Sequence, residues 1–271
     1  MKNQNDYFLS QEEYQELKTF ILNNFGFNIG SYLRVGDEVG KLLLKHQILR
    51  FNNYFALCLK PENNKMLSEL VSSLSNHYTF FNRESYQLRF LLMEGFANLL
   101  KDKSHLDFLS IGCSTGEESY SLALAYQNYC FKNNQIASYE IQGIDIADFV
   151  LEQAIKGLYR SETLRYLPSE DIQKYFIKRD TLFEINSEIK SKCLFNNIDF
   201  HYFESNKKYD IILCRNVLLY YNVNTVQIFV NKLINLLNIG GYLMFGGAEM
   251  IPVDEKKLKY VTQAVFQKVE K

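Results

Sequence analysis

Two rhythms of apolar and polar positions divide this chain. From Ser10 to about Ser75 the apolar residues recur at helical spacing: Tyr14, Leu17, Phe20 and Ile21, then Val39, Leu42, Leu43 and Ile48, then Met66, Leu67, Leu70, Val71 and Leu74. Ser10 with Glu13 three positions on has the spacing of a capping box, in which each residue satisfies a backbone N–H of the other. Phe25 and Gly26 end the first helix, and Lys60-Pro61-Glu62-Asn63-Asn64 reads as a turn between later ones. The alternation of a strand is absent, so residues 1–75 are predicted to form a small helical domain.

From about Leu106 the rhythm changes to short apolar runs separated by helical segments: FLSIGC, SYSLALAYQNY, YEIQGID, FVLEQAI, YDIILC, a long helix to Leu237, and GYLMFGG. Strands alternating with helices predict a parallel sheet in a doubly wound α/β domain, where ligands sit beyond the carboxyl ends of the strands. Residues 161–200 break the pattern, with a helical stretch from Asp171 to Phe176 and two strand candidates, Leu182–Ile185 and Cys193–Phe195. These two can pair as a short antiparallel ribbon in a β-subdomain inserted at about 177–197. The connection Asn186–Lys192 has no glycine, which a tight hairpin turn demands, so an edge that grips an extended peptide is not expected there.

Composition narrows the classes. Thirty Lys and Arg against 31 Asp and Glu give a net charge of −1, which leaves no global positive field for nucleic acid. No run of 18 apolar residues occurs, and the segment MKNQNDYFLS lacks the apolar block of a signal peptide, so a cytoplasmic protein without membrane insertion is expected. Cys58, Cys113, Cys130, Cys193 and Cys214 contain no CxxC pair, and His46, His77, His105 and His201 are scattered. The cysteines read as small core residues, and no metal site is expected.

The chemistry concentrates where strands end. In Phe108-Leu-Ser-Ile-Gly112-Cys-Ser-Thr-Gly116-Glu117-Glu118 a strand runs through two glycines into a helix. A dinucleotide fingerprint would place glycines to receive pyrophosphate; two glutamates enter the helix instead. Such carboxylates suit a ligand bearing an ammonium or sulfonium, or else simply complement the helix dipole. The next strand ends at Asp145, where an acidic residue meets ribose hydroxyls or caps the following helix. A third strand delivers Arg215 and Asn216, polar groups that follow an apolar strand only with a partner or ligand.

Together these stretches resemble the chemoreceptor glutamate methyltransferases of bacterial chemotaxis, the CheR type. Thr79-Phe-Phe-Asn-Arg83-Glu84 matches the family's T-x-F-F-R-E, Gly112 to Glu118 its C-S-T-G-E-E loop, Asp145 with Gly157-Leu-Tyr-Arg160 a third motif, and Cys214-Arg-Asn-Val-Leu-Leu-Tyr220 a fourth. The family has a small N-terminal helical domain, a linker and a Rossmann-like methyltransferase domain with a β-subdomain, which would divide this chain at 1–75, 76–88 and 89–271. The resemblance implies S-adenosylmethionine as methyl donor and S-adenosylhomocysteine as product. By position, Thr79 and Arg83 lie near the methionine and sulfur end, Glu118 meets the donor's polar groups, Asp145 takes the ribose, and Asp199 and Phe200 flank the adenine. Gly112, Arg215 and Asn216 belong to the same cofactor cleft, and Tyr220 approaches the transferred methyl, which makes Arg83 and Tyr220 the catalytic pair. Asn82, Ser119 and Gly246-Gly-Ala-Glu249 depart from the family's Phe, Pro and G-H-S-E.

The partners implied are the cytoplasmic helices of methyl-accepting chemoreceptors, met by a monomer and without a C-terminal receptor tether. Arg34, Lys41 and Lys45 would share one helical stripe facing them, or form a solvated face. Two other functions remain compatible with the residues: a noncatalytic S-adenosylmethionine-binding signalling module, and a methyltransferase for a different carboxylate.

Overall fold

The computed structural model describes residues 9–25, 27–74 and 79–269. The boundary expected at residues 75 and 76, and His77, lie outside them. Two compact units emerge: residues 1–76 with 220–225, and residues 77–219 with 226–271.

In the first unit four helices follow the apolar rhythm: α1 (Gln11–Phe25), α2 (Tyr32–Lys45), α3 (Phe51–Cys58) and α4 (Asn64–Leu74). The capping box forms, with the Ser10 N–H donating to Glu13 Oε2 at 2.8 Å and the Glu13 N–H to Ser10 Oγ at 3.1 Å. Leu17, Ile21, Val39, Leu43, Tyr54, Leu70 and Val71 are fully buried. The expected basic stripe is partly neutralised, because Lys41 pairs with Glu38 at 2.6 Å and Lys45 with Glu69. Tyr221 forms an isolated bridge with Phe27, and the Tyr220 carbonyl accepts from the Asn28 N–H at 2.6 Å.

The second unit opens with α5 (Ser85–Phe90), which continues through a π turn at Leu91–Gly95 into α6 (Phe96–Leu99). Then come β1 (His105–Ile111), α7 (Glu117–Lys132), β2 (Ser138–Asp145), α8 (Asp148–Lys156), β3 (Leu158–Arg160), α9 (Ser161–Leu164), α10 (Ser169–Tyr175), β4 (Phe176–Arg179), β5 (Leu182–Ile185), α11 (Ser187–Lys190), β6 (Cys193–Asn197), β7 (Tyr209–Cys214), α12 (Val223–Leu236), β8 (Leu237–Phe245), β9 (Leu258–Thr262) and β10 (Val265–Lys268). The main sheet has the order β6-β2-β1-β7-β8-β10-β9. β6 to β8 are parallel, and the β9–β10 hairpin adds antiparallel to β8. The chain winds from β1 outward to β2 and on to β6 at the edge, then returns to β7 on the other side of β1, so the switch point lies between β1 and β7. Phe108, Ile141, Ile211 and Leu213 on its strands are almost completely buried, as are all five cysteines. No helix among the described residues is long and apolar enough to cross a membrane.

The inserted sheet corrects the expectation. Leu182–Ile185 does not pair with Cys193–Phe195; it is the centre of a three-stranded antiparallel sheet, β3-β5-β4, so the subdomain is built from 158–185 rather than 177–197. Cys193–Asn197 joins the main sheet beside β2 instead. The connection between them contains α11, whose N-cap Asn186 accepts from the Ile189 N–H at 2.9 Å. It lacks glycine because it is a helical turn, and this removes the inference about a gripping edge. The actual β4–β5 turn is Asp180-Thr181, with Asp180 at φ +49°, a left-handed conformation that Asp tolerates.

Two lysines close the C-terminal end of α12. Lys268 of β10 is buried and donates to the carbonyls of Ile234 and Leu237 at 2.7 and 2.9 Å, while Lys208 reaches Asn235 O at 2.6 Å. Both place positive charge on carbonyls that the helix leaves without internal donors.

Candidate active site

The loop after β1 needs a particular backbone. Gly112 has φ +66°, and a Cβ there would stand 2.5 Å from Val217 Cγ2. The Gly112 and Cys113 N–H groups both donate to Ile144 O, at 2.9 and 3.1 Å, which binds the loop to the end of β2. Asp145 completes the join: Oδ2 accepts from the Ser114 N–H at 2.8 Å and Oδ1 from the Ala147 N–H at 3.0 Å. Asp145 therefore organises two loop ends, in addition to any role toward ribose.

Beyond β1 and β7 lies a buried charge cluster. Arg215 Nε sits 3.4 Å from Glu84 Oε2 and 3.5 Å from Glu118 Oε2, and its Nη2 donates to the Arg83 carbonyl. Glu118 Oε1 accepts from Ser110 Oγ at 2.8 Å. Burial raises the Glu118 carboxyl above its ordinary range, against the opposing pull of Arg215 and Ser110. Glu117 is raised by burial as well, although Thr115 Oγ1 donates to it at 2.5 Å. Glu84 Oε2 and the Tyr86 hydroxyl are buried without a hydrogen-bond partner among the described residues. The Arg83 guanidinium lies 6.0 Å from the Phe80 ring centroid, and Thr79 and Arg83 are half-buried.

Asn216 follows β7 at φ +59°. Glu249 clasps the surrounding loops, accepting from the Gly246 N–H at 2.6 Å and the Leu218 N–H at 2.7 Å, and burial raises its carboxyl too. A Cβ on Gly246 would come within 2.6 Å of Asn216 Nδ2. Asp199 and Phe200 follow the end of β6, next to Asp145, whose carbonyl accepts from the Ile198 N–H at 3.0 Å. His201 donors outweigh the upward push of burial and hold the Asp199 carboxyl below its ordinary value. Tyr220 is assigned to the first unit.

The described second unit thus brings Gly112, Glu118, Asp145, Asp199, Arg215 and Asn216 to the carboxyl ends of β1, β2, β6 and β7. Glu84, Ser110 and Glu249 join them without having been singled out. Ser110 was visible as the one hydroxyl in an apolar strand, whereas Glu249 also reaches the Leu218 N–H from 31 positions away, a link no local pattern marks. Two of the three departures have local reasons. Asn82 has φ +58°, a region where Asn is enriched, and a Cβ on Gly247 would stand 2.9 Å from the Tyr86 hydroxyl. Ser119 Oγ is buried and finds no partner among the described residues.

A doubly wound sheet with partly buried carboxylates beyond its strand ends at the switch point is an arrangement that suits a small cationic ligand. The family model "CheR methyltransferase, SAM binding domain" matches residues 77–266. A chemotaxis protein methyltransferase of Borreliella burgdorferi is 30% identical over 98% of this chain and 99% of its own length. Chemotaxis protein methyltransferase 2 of Vibrio cholerae is 27% identical over 90% of this chain and 83% of its own, and a chemotaxis protein methyltransferase of Campylobacter jejuni 32% over 70% of each. The chain belongs to the CheR methyltransferase family and is an S-adenosylmethionine-dependent methyltransferase. Its residues fit that cofactor. Glu84 Oε2 is ion-paired with Arg215 at 3.4 Å but accepts no hydrogen bond among the described residues, and Glu117 and Glu118 are carboxylates whose burial a ligand carrying an ammonium and a sulfonium would offset.

Proposed function

We propose that the protein methylates glutamate side chains of chemoreceptors, giving methyl esters in chemotactic adaptation. The observation that carries this reading is the buried Glu84–Arg215–Glu118 cluster beside Gly112, in a chain whose relatives are named for chemotaxis. S-adenosylmethionine supplies the methyl group as a sulfonium.

An acceptor glutamate with a reference pKa of about 4.3 is ionised at neutral pH and needs no general base. The protein's work is then alignment and exclusion of water, which can contribute roughly 7–11 kcal/mol. Arg83 grips the incoming carboxylate with two parallel N–H donors, a geometry Lys cannot reproduce. Glu118 receives the donor's ammonium, Arg215 holds Glu118 and Glu84 in place, and Thr79 supports the methionine end. Asp145 accepts from the ribose, Asp199 and Phe200 border the adenine, and Asn216 lines the cleft. Tyr220 flanks the transferred methyl. The acceptors are helices on the cytoplasmic side of the receptors, which places the enzyme in the cytoplasm.

Incubation with radiolabelled S-adenosylmethionine and membranes containing chemoreceptors tests this. Label in the receptor band that alkali releases as methanol is the expected result. Label that resists alkali, or none in the receptor, would sink the proposal.

A further inference from the structure

His201 is not part of any motif considered above, yet it is tied to the end of β6 from two directions. Its backbone N–H and its ring Nδ1 both reach Asp199 Oδ1, at 2.9 and 3.0 Å. The Asp199 carboxyl is held below its ordinary value, and an ionised carboxylate only accepts, so Nδ1 carries the proton. Both donors fall on the same oxygen. Oδ2 accepts nothing from the described residues, and the side chain remains 19% exposed. From the opposite side α12 holds the same segment. Lys232 Nζ donates to Phe200 O at 2.8 Å and His201 O at 2.9 Å, and it lies 5.0 Å from the Phe200 ring centroid. Phe229, one helical turn earlier, meets the edge of the His201 ring at 4.5 Å and that of Phe200 at 4.9 Å. Lys232 and Phe229 stand three residues apart and so share a helix face.

We propose that His201 is a positioning residue of the donor site: it engages Asp199 Oδ1 and leaves Oδ2 aimed for a hydrogen bond from the adenosine end of the cofactor. This rests on the proposed role of Asp199. An Asx turn alone would fix the segment through the backbone N–H; the ring Nδ1 adds a second donor that sets which way the carboxylate faces, and α12 keeps the ring from turning away. His201 thus acts through Asp199 and touches no ligand itself.

Calorimetric titration of the full chain with S-adenosylhomocysteine tests the assignment, with ligand-free melting temperatures measured beside it. His201→Ala weakens binding about tenfold, the scale of a hydrogen bond to a charged group. His201→Asn restores it, because the amide nitrogen takes the place of Nδ1, while His201→Gln does not, because its nitrogen lies further out. In a double-mutant cycle Asp199→Ala with His201→Ala loses no more than Asp199→Ala alone. Unchanged affinity in His201→Ala alongside a weakened Asp199→Ala, or additive losses in the cycle, overturns the positioning role. Full affinity in Asp199→Ala overturns the reading on which it rests. If the Ala variant does not fold, the contrast between Asn and Gln decides, and equal affinities for these two refute the proposal.

Discussion

Replacing Gly112 by Ala tests the loop that carries the site. Two costs are read from the geometry. An L residue in the left-handed region, where Gly112 sits at φ +66°, costs about 1–2 kcal/mol. The new Cβ also stands 2.5 Å from Val217 Cγ2, about 1 Å inside ordinary carbon contact, and overpacking of this kind costs about 1–3 kcal/mol. Gly112→Ala should therefore destabilise the protein by about 2–5 kcal/mol. The second cost depends on one methyl group that can be removed. In a Val217→Ala background the effect of Gly112→Ala should fall to about 1–2 kcal/mol, the conformational part alone. Because the chain has 19 Tyr and no Trp, urea denaturation followed by far-ultraviolet circular dichroism is the suitable assay. Equal costs in the two backgrounds would show that Val217 does not confine the loop, and a cost below about 1 kcal/mol would refute the left-handed turn itself.

Arg83→Ala and Tyr220→Phe should lower turnover about a hundredfold while leaving S-adenosylhomocysteine affinity within a few-fold, since misalignment is felt in the transition state; parallel losses in steady-state kinetics and calorimetry would assign both to structure. Burial lifts the folded-state pKa of Glu117 above its unfolded value, so between the two the folded protein binds more protons and its stability increases as pH falls from neutral. Glu117→Gln should stabilise at pH 7 and flatten that increase in melts between pH 5 and 7; an unchanged slope would count against a costly buried charge. Ser119→Ala should raise stability by about 1 kcal/mol by deleting a buried hydroxyl without a partner, and a loss in urea titration would mean the hydroxyl is satisfied.

Legibility in the sequence followed locality. β7 announced itself because a parallel strand buried on both faces is a nearly continuous apolar run, β1 and β2 because apolar residues recur along them up to a polar strand end, and the start of α1 because Ser10 and Glu13 satisfy each other within one turn. β3 and β4 did not, since each is short and carries exposed residues, and β3 draws its partner, β5, from more than twenty positions away. Cys193–Phe195 was recognisable as a strand candidate, but the strand it belongs to, Cys193–Asn197, lies beside β2 in the sheet and not beside the nearest strand in sequence. The site divides the same way. Gly112, Asp145 and Arg215 stand at strand ends that periodicity locates. Glu249 clasps Leu218 from 31 positions away, and His201 matters only through the orientation of Asp199.

The sheet order at its far edge bears on how the chain emerges from the ribosome. β10 follows β9 in synthesis, yet it lies between β9 and β8, so β9 has nothing to pair with until β10 has been translated. β9 can therefore join the sheet only through β10. The same late segment carries Lys268, so the carbonyls at the end of α12 wait for their ammonium over more than thirty residues of further synthesis. Nascent chains stalled before residue 265 should accordingly keep this edge open to proteases, and chains released beyond 268 should close it.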